Sequence, residues 1–124
     1  MMILFVVGVL ALLLVACTPS DPTANLPEGD PIRGERLFSQ TINTAPACST
    51  CHMIDGDATL GPVLTGYRER AATHGVSVEE YTYISIIRPG SYIVPGYANS
   101  MYSQYDIRLS EQQIADLIAY MLQF

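Results

Sequence analysis

From residue 30 onward the apolar residues fall into blocks with helical spacing. The clearest block is the last, where Ile114, Leu117, Ile118 and Met121 repeat at i, i+3, i+4 and i+7, the stripe of an amphipathic helix. Ser110 with Gln113 three residues later supplies a capping box for its start. An earlier helix is predicted to open at Asp30, an N-cap residue, with Pro31 at the first helical position, where the missing N–H is harmless. It carries Ile32, Gly34, Leu37 and Phe38 and ends near Gln40. A glycine inside a helix costs about 1 kcal/mol relative to alanine, so Gly34 needs a packing reason. Close approach of the last helix near Tyr120 supplies one. Between these two, the turn-rich run 60–66 leads into a short helix from about Tyr67 to Thr73. Ser77 and Glu80 form another capping box, opening a helix that runs from Val78 to about Arg88, where Pro89-Gly90 stops it. Residues 91–106 have no steady period but hold Pro95, Gly96 and the tyrosines 92, 97, 102 and 105. That is the composition of an ordered loop wrapped around something.

The start of the chain follows a different pattern. Residues 1–16 are all apolar or glycine, too short for a membrane-spanning helix of roughly 20 residues and better suited to a secretory signal. Leu14-Val15-Ala16-Cys17 resembles the lipobox of bacterial lipoproteins, which makes Cys17 the expected lipidation site. No Lys or Arg precedes the run, which departs from the usual signal. The competing reading is an uncleaved hydrophobic anchor, and both readings put the domain on a membrane surface outside the cytoplasm. Residues 17–29, with Pro19, Pro22 and Pro27, read as an extended tether reaching on the order of 40 Å. Residues 30–124 then form a single domain.

Charge narrows the partners. The chain of 124 residues has 12 carboxylates against six arginines and no lysine, a formal charge of −6. Phosphate repulsion then argues against nucleic acid, while a basic redox partner remains compatible.

The chemistry concentrates at Cys48-Ser49-Thr50-Cys51-His52. Two cysteines separated by two residues, with a histidine directly after, form the attachment signature of a c-type haem. Each thiol adds across a haem vinyl group, and His52 then lies under the iron as a neutral imidazole ligand. A zinc site would need four ligands, and beyond this cluster the chain offers only Cys17 and His74. A thioredoxin-like pair would follow a strand, whereas residues 43–47 are loop-like. With Cys17 assigned to lipid and the other two cysteines to haem, none is left over.

CxxCH at 48–52, Gly61-Pro62-Val63-Leu64, a lone Met101 in a long loop and the closing helix with Asp116-Leu117-Ile118-Ala119-Tyr120 together resemble a class I monohaem cytochrome c, over residues 30–124. The resemblance implies a small all-α fold wrapped around one covalent haem c, with its first and last helices crossing. It implies thioethers at Cys48 and Cys51, His52 as proximal ligand, and the Pro62 carbonyl accepting the His52 Nδ1–H. Leu64 packs on the haem and Met101 is the distal ligand. The family usually places proline after this methionine, where this chain has Tyr102. Residues 87–97 also resemble cytochrome c domains carried by membrane respiratory complexes.

The function implied is a lipid-anchored carrier of single electrons between redox proteins, on the extracytoplasmic (periplasmic) face of a bacterial membrane. It has no small-molecule substrate. A haem enzyme or small-ligand sensor with a labile sixth position is the competing reading. Met53 and Met121 read as packing residues, and His74 as a solvated turn histidine with bis-histidine ligation its alternative. Arg70, Arg88, Tyr67, Tyr92 and Tyr97 are candidate propionate contacts, each more simply structural.

Overall fold

The computed structural model describes residues 20–124, so the apolar run 1–16 and Cys17 lie outside the described residues. Five α-helices follow in order: α1 (Pro31–Phe38), α2 (Tyr67–Ala71), α3 (Val78–Ile87), α4 (Tyr105–Arg108) and α5 (Glu111–Met121). Short 3-10 turns cover Cys48–Thr50 and Ala72–His74. Among the described residues there is no strand, only an isolated bridge between Ile42 and Ala45. The fold is all-α.

Most helix boundaries follow from local chemistry. The Asp30 side chain accepts from the Ile32 and Arg33 N–H groups, and Pro31 opens α1. The helix ends at Phe38, and the Ser39 and Gln40 N–H groups close tighter bonds to the Arg36 and Leu37 carbonyls. At α5 both halves of the capping box form between Ser110 and Gln113. At α3 only one half forms among the described residues, from the Glu80 N–H to the Ser77 hydroxyl at 3.0 Å. The helix expected over 67–73 tightens into a 3-10 turn from Ala72.

The two ends of the domain meet where α1 crosses α5. A Cβ on Gly34 would run into the Asp116 carbonyl and the Cβ of Tyr120, so the glycine lets the two backbones touch. Phe38 packs on Tyr120 beside this contact, ring centroids 5.5 Å apart. Asp116, 2% exposed, ties the crossing together. Its carboxylate accepts from the Asp30 N–H (2.8 Å), from Arg33 Nε (2.8 Å) and Nη2 (2.8 Å), and from Gln112 Nε2 (2.9 Å). Burial disfavours its charge and is the largest single influence, yet the donors together hold the carboxyl below the usual carboxylate range.

Two features depart from the expectations of sequence. The stretch read as an extended tether is folded over its described part. Asp21 O accepts from the Ala24 N–H and Thr23 O from the Leu26 N–H, closing a turn. Leu26 packs against the core, and Gln112 Nε2 donates to the Glu28 carbonyl at 2.9 Å. The loop over 91–106 also contains the start of α4. Its Tyr105 hydroxyl donates to the Pro46 carbonyl (2.8 Å), and the Arg108 carbonyl accepts from Asn43 Nδ2 (2.9 Å). These bonds brace a turn in which Asn43 (φ 48°) and Thr44 (φ 71°) are both left-handed. Such a backbone is unusual for β-branched threonine.

Two outcomes test the crossing. Gly34→Ala gains helix propensity but should lose about 1–3 kcal/mol in denaturant unfolding, because α1 must move off α5. Asp116→Asn should cost about 1–3 kcal/mol at neutral pH through weakened partners. The wild-type advantage should be full above the unfolded carboxyl value of about 4 and shrink as pH falls through the lower folded value. Unfolding curves from pH 7 to pH 2 check both the size and the sign.

Candidate haem site

Residues 51–65 form a zipped double segment. The 3-10 turn over Cys48–Thr50 is closed by the Cys51 and His52 N–H groups on the Cys48 carbonyl, at 3.1 and 3.0 Å. Facing it, the Gly61 N–H donates to the Cys51 carbonyl (3.0 Å), Leu64 to Met53 (2.9 Å) and Thr65 to Ile54 (2.8 Å). The Pro62 carbonyl lies 2.9 Å from His52 Nδ1. A carbonyl only accepts, so Nδ1 carries the proton and Nε2 keeps its lone pair for a metal. Gly61 is required here as well, since a Cβ on it would press on the His52 ring.

His52 looks into a cavity of about 380 Å³. That lies in the range of about 300–1,000 Å³ common for ligand sites. All six residues expected to hold the cofactor line it: Cys48, Cys51, His52, Pro62, Leu64 and Met101. Leu64 is 2% exposed and forms part of the core, while Leu117 and Met121 close the cavity from α5. Burial pushes the Cys48 thiol up to about 11. The residues present fit a haem: a mostly apolar lining, two thiols, an oriented imidazole and a thioether sulfur.

The lesser candidates divide. Met53 is exposed and does not line the cavity, whereas Met121 does. Tyr102, which replaces the usual proline, packs edge-on against Tyr105 at 5.1 Å and donates to Gln104 Oε1 at 3.1 Å. The Arg70 guanidinium holds the Thr65 and Val63 carbonyls, and Arg88 lies apart at a shallow groove with Ser91 and Asp106. His74 is exposed, as a turn histidine should be, yet it also has ring partners. Its ring stacks on Tyr81 at 4.4 Å and meets Tyr92 edge-on at 5.2 Å, and all three line the cavity.

Sequence reasoning missed the α3 wall. Tyr81, Thr82, Ser85 and Ile86 line the cavity at helical spacing, a stripe hidden because α3 carries apolar residues on every side. Thr82 Oγ1 donates its single proton to the Val78 carbonyl at 2.6 Å. Tyr67 must therefore donate across the 2.7 Å contact to Thr82. Ser85 Oγ is buried with no hydrogen-bond partner.

A small helical domain with CxxCH on the wall of an apolar cavity, and an imidazole oriented over it, defines a haem-c-binding protein. Comparison with known proteins agrees: the family model for cytochrome c matches residues 32–124, and the chain belongs to that family. Its cofactor is one covalently held haem c. A cytochrome c of Tetrahymena pyriformis is 41% identical over 54 residues, 44% of this chain and 44% of that protein. The chain thus spans under half the length of this relative in the matched region.

Covalent attachment is directly testable. Haem should follow the wild-type polypeptide through denaturing electrophoresis and resist acid-solvent extraction. In the Cys48→Ala/Cys51→Ala double variant, any bound haem should be released.

Proposed function

We propose that this protein is a lipid-anchored monohaem cytochrome c that carries single electrons between redox proteins on the outer, extracytoplasmic face of a bacterial membrane. The observation that carries the reading is the meeting of an oriented His52 and Met101 in one apolar cavity, beside the two attachment cysteines. The haem supplies one-electron exchange between ferrous and ferric iron. His52 Nε2, left free by the Pro62 carbonyl's hold on Nδ1, would be one ligand to the haem iron. Met101 would supply a soft thioether sulfur as the other, which favours a higher potential than a second imidazole.

With His52 and Met101 both placed to hold the iron, no position would be left on it for a substrate, which suits a carrier rather than an enzyme. The zipped segment 51–65 holds the His52 ring in one place. The apolar lining keeps water from the iron. Leu60 and Ile93, 66% and 47% exposed at the cavity's rim, offer apolar contact to a redox partner. Tyr102, which stands where the family usually has proline, is engaged by Tyr105 and Gln104 beside Met101. Lipidation of Cys17, the signal segment 1–16 and membership of a respiratory complex are parts of the same proposal, supported by the sequence alone.

Met101→Ala is the decisive variant. Oxidised wild-type protein should show the weak far-red band of a sulfur–iron bond. The variant should lose that band, fall in potential and bind carbon monoxide when reduced, with haem still attached. Retention of the band there, with loss in Met121→Ala, would assign the sixth position to Met121. Loss of a bis-imidazole spectrum in His74→Ala would assign it to the histidine.

A further inference from the structure

We propose that His74 couples a proton to the electron this protein carries: its imidazole takes up a proton when the haem iron is reduced and gives it back when the iron is oxidised. The inference rests on the reading of the cavity as the site of a haem that cycles between ferrous and ferric iron. The step balances without any bond to the iron. Ferric iron gains one electron from the redox partner, and the neutral imidazole gains one proton from water.

The chain fixes the ring at the cavity wall. α2 tightens into the 3-10 turn Ala72–His74, and Gly75 (φ 75°) turns the chain away after it. Thr73 Oγ1 donates to the Arg70 carbonyl at 2.8 Å and pins the turn. The His74 ring stacks on Tyr81, with centroids 4.4 Å apart and planes inclined by 26°. Tyr92 meets it edge-on at 5.2 Å and lies 4.9 Å from Tyr81, so the three rings form one cluster. Tyr81 is 6% exposed, and all three residues line the cavity. The rest of His74 is open to water. A proton site that senses the iron needs both properties, a fixed place beside the haem and free exchange with solvent.

The other groups of the wall are unsuited to this part. Among the described residues the cavity lining contains no Asp or Glu. Cys48 and Cys51 are taken by the thioethers, and His52 has Nδ1 held by Pro62 and Nε2 left for the iron. Arg70, one turn before His74, stays charged and holds the Thr65 and Val63 carbonyls. A phenol ionises near about pH 10, and burial pushes those of Tyr67 and Tyr81 higher still. The groups that face His74 are thus Tyr81 from α3, Tyr92 from the loop beyond it and Arg70 from α2, whose charge reaches Tyr81. Histidine is the side chain whose charge changes near neutral pH, and His74 is the one in this wall that the proposed ligation leaves free. Reduction lowers the charge at the iron by one. Across an apolar cavity of low dielectric, an imidazolium is then repelled less by the ferrous haem than by the ferric one. Ferrous protein therefore binds the proton more tightly, and by linkage the potential falls as pH rises between the two titrations.

The haem's own carboxylates also titrate, so the test compares variants of the full holoprotein. Potentials measured by spectroelectrochemistry from about pH 5 to about pH 9 should fall with pH in wild type. His74→Asn, whose amide does not titrate, should match wild type at the alkaline limit and keep only the share of the fall that belongs to the haem carboxylates. His74→Arg, with a fixed cation, should match wild type at the acid limit and show the same reduced fall. An unaltered slope in both variants would overturn the inference. Proton NMR of the wild type reads the coupling without a substitution. The His74 ring signal should titrate at higher pH in ferrous than in ferric protein, and equal midpoints would overturn it. The optical spectrum separates this failure from that of the underlying reading. If the far-red sulfur–iron band persists in His74→Asn while the slope is unaltered, only the proton coupling falls. If the variant instead changes the axial spectrum, His74 is itself a ligand, and the Met101 assignment falls together with this inference.

Discussion

A buried carboxylate holds the two ends of this domain together. Asp116 accepts from the Asp30 N–H, from Arg33 of α1 and from Gln112 of its own helix, and those donors converge only when Gly34 allows the backbones to touch. The remaining architecture hangs from this crossing. α5 presents Leu117 and Met121 to the cavity only because its opposite side is occupied by α1 and the segment at Glu28. Arg33, half-exposed, completes the ion pair. A carboxylate so buried and so fully bonded is stabilising as a set and weak in pieces, because removing one donor leaves a charge that water cannot reach.

The site depends on a second, more local frame. Three backbone bonds zip 51–54 to 61–65, and that zipper brings the Pro62 carbonyl to the imidazole. The left-handed turn at Asn43 and Thr44 steers the chain into Cys48, and α4 braces it through the Pro46 and Arg108 carbonyls. Cys48, Cys51, His52 and the carbonyl that orients its ring thus belong to one short stretch of chain. Met101 alone arrives from far away in sequence.

What could be read in advance follows from this division. Asp30, Pro31, Ser110 and Gln113 act on backbone groups within four residues, so the starts of α1 and α5 were visible in the letters. CxxCH was visible because thioether attachment fixes its spacing. The turn of α4 was not, because Tyr105 and Arg108 find their partners about 60 residues away, across a loop without period. The contact of His74 with Tyr81 and Tyr92 was hidden because those rings reach it only once α3 and the loop after it have packed. The docking of residues 26–29 was not legible, because proline content argues for extension, while Leu26 and the closeness of Gly29 to α5 argue for docking only once α5 is in place.

The direction of one proton has a consequence for the iron. With Thr82 committed to the Val78 carbonyl, Tyr67 spends its only hydroxyl proton on Thr82. What its oxygen has left for other neighbours is lone pairs. In surroundings of low dielectric, fixed lone pairs act as partial negative charge, and they favour whichever redox state carries the greater positive charge. For a haem held in this cavity that would be the ferric state, so the helical register of α3, by deciding which way a tyrosine hydroxyl points, would weigh on the potential from the cavity wall.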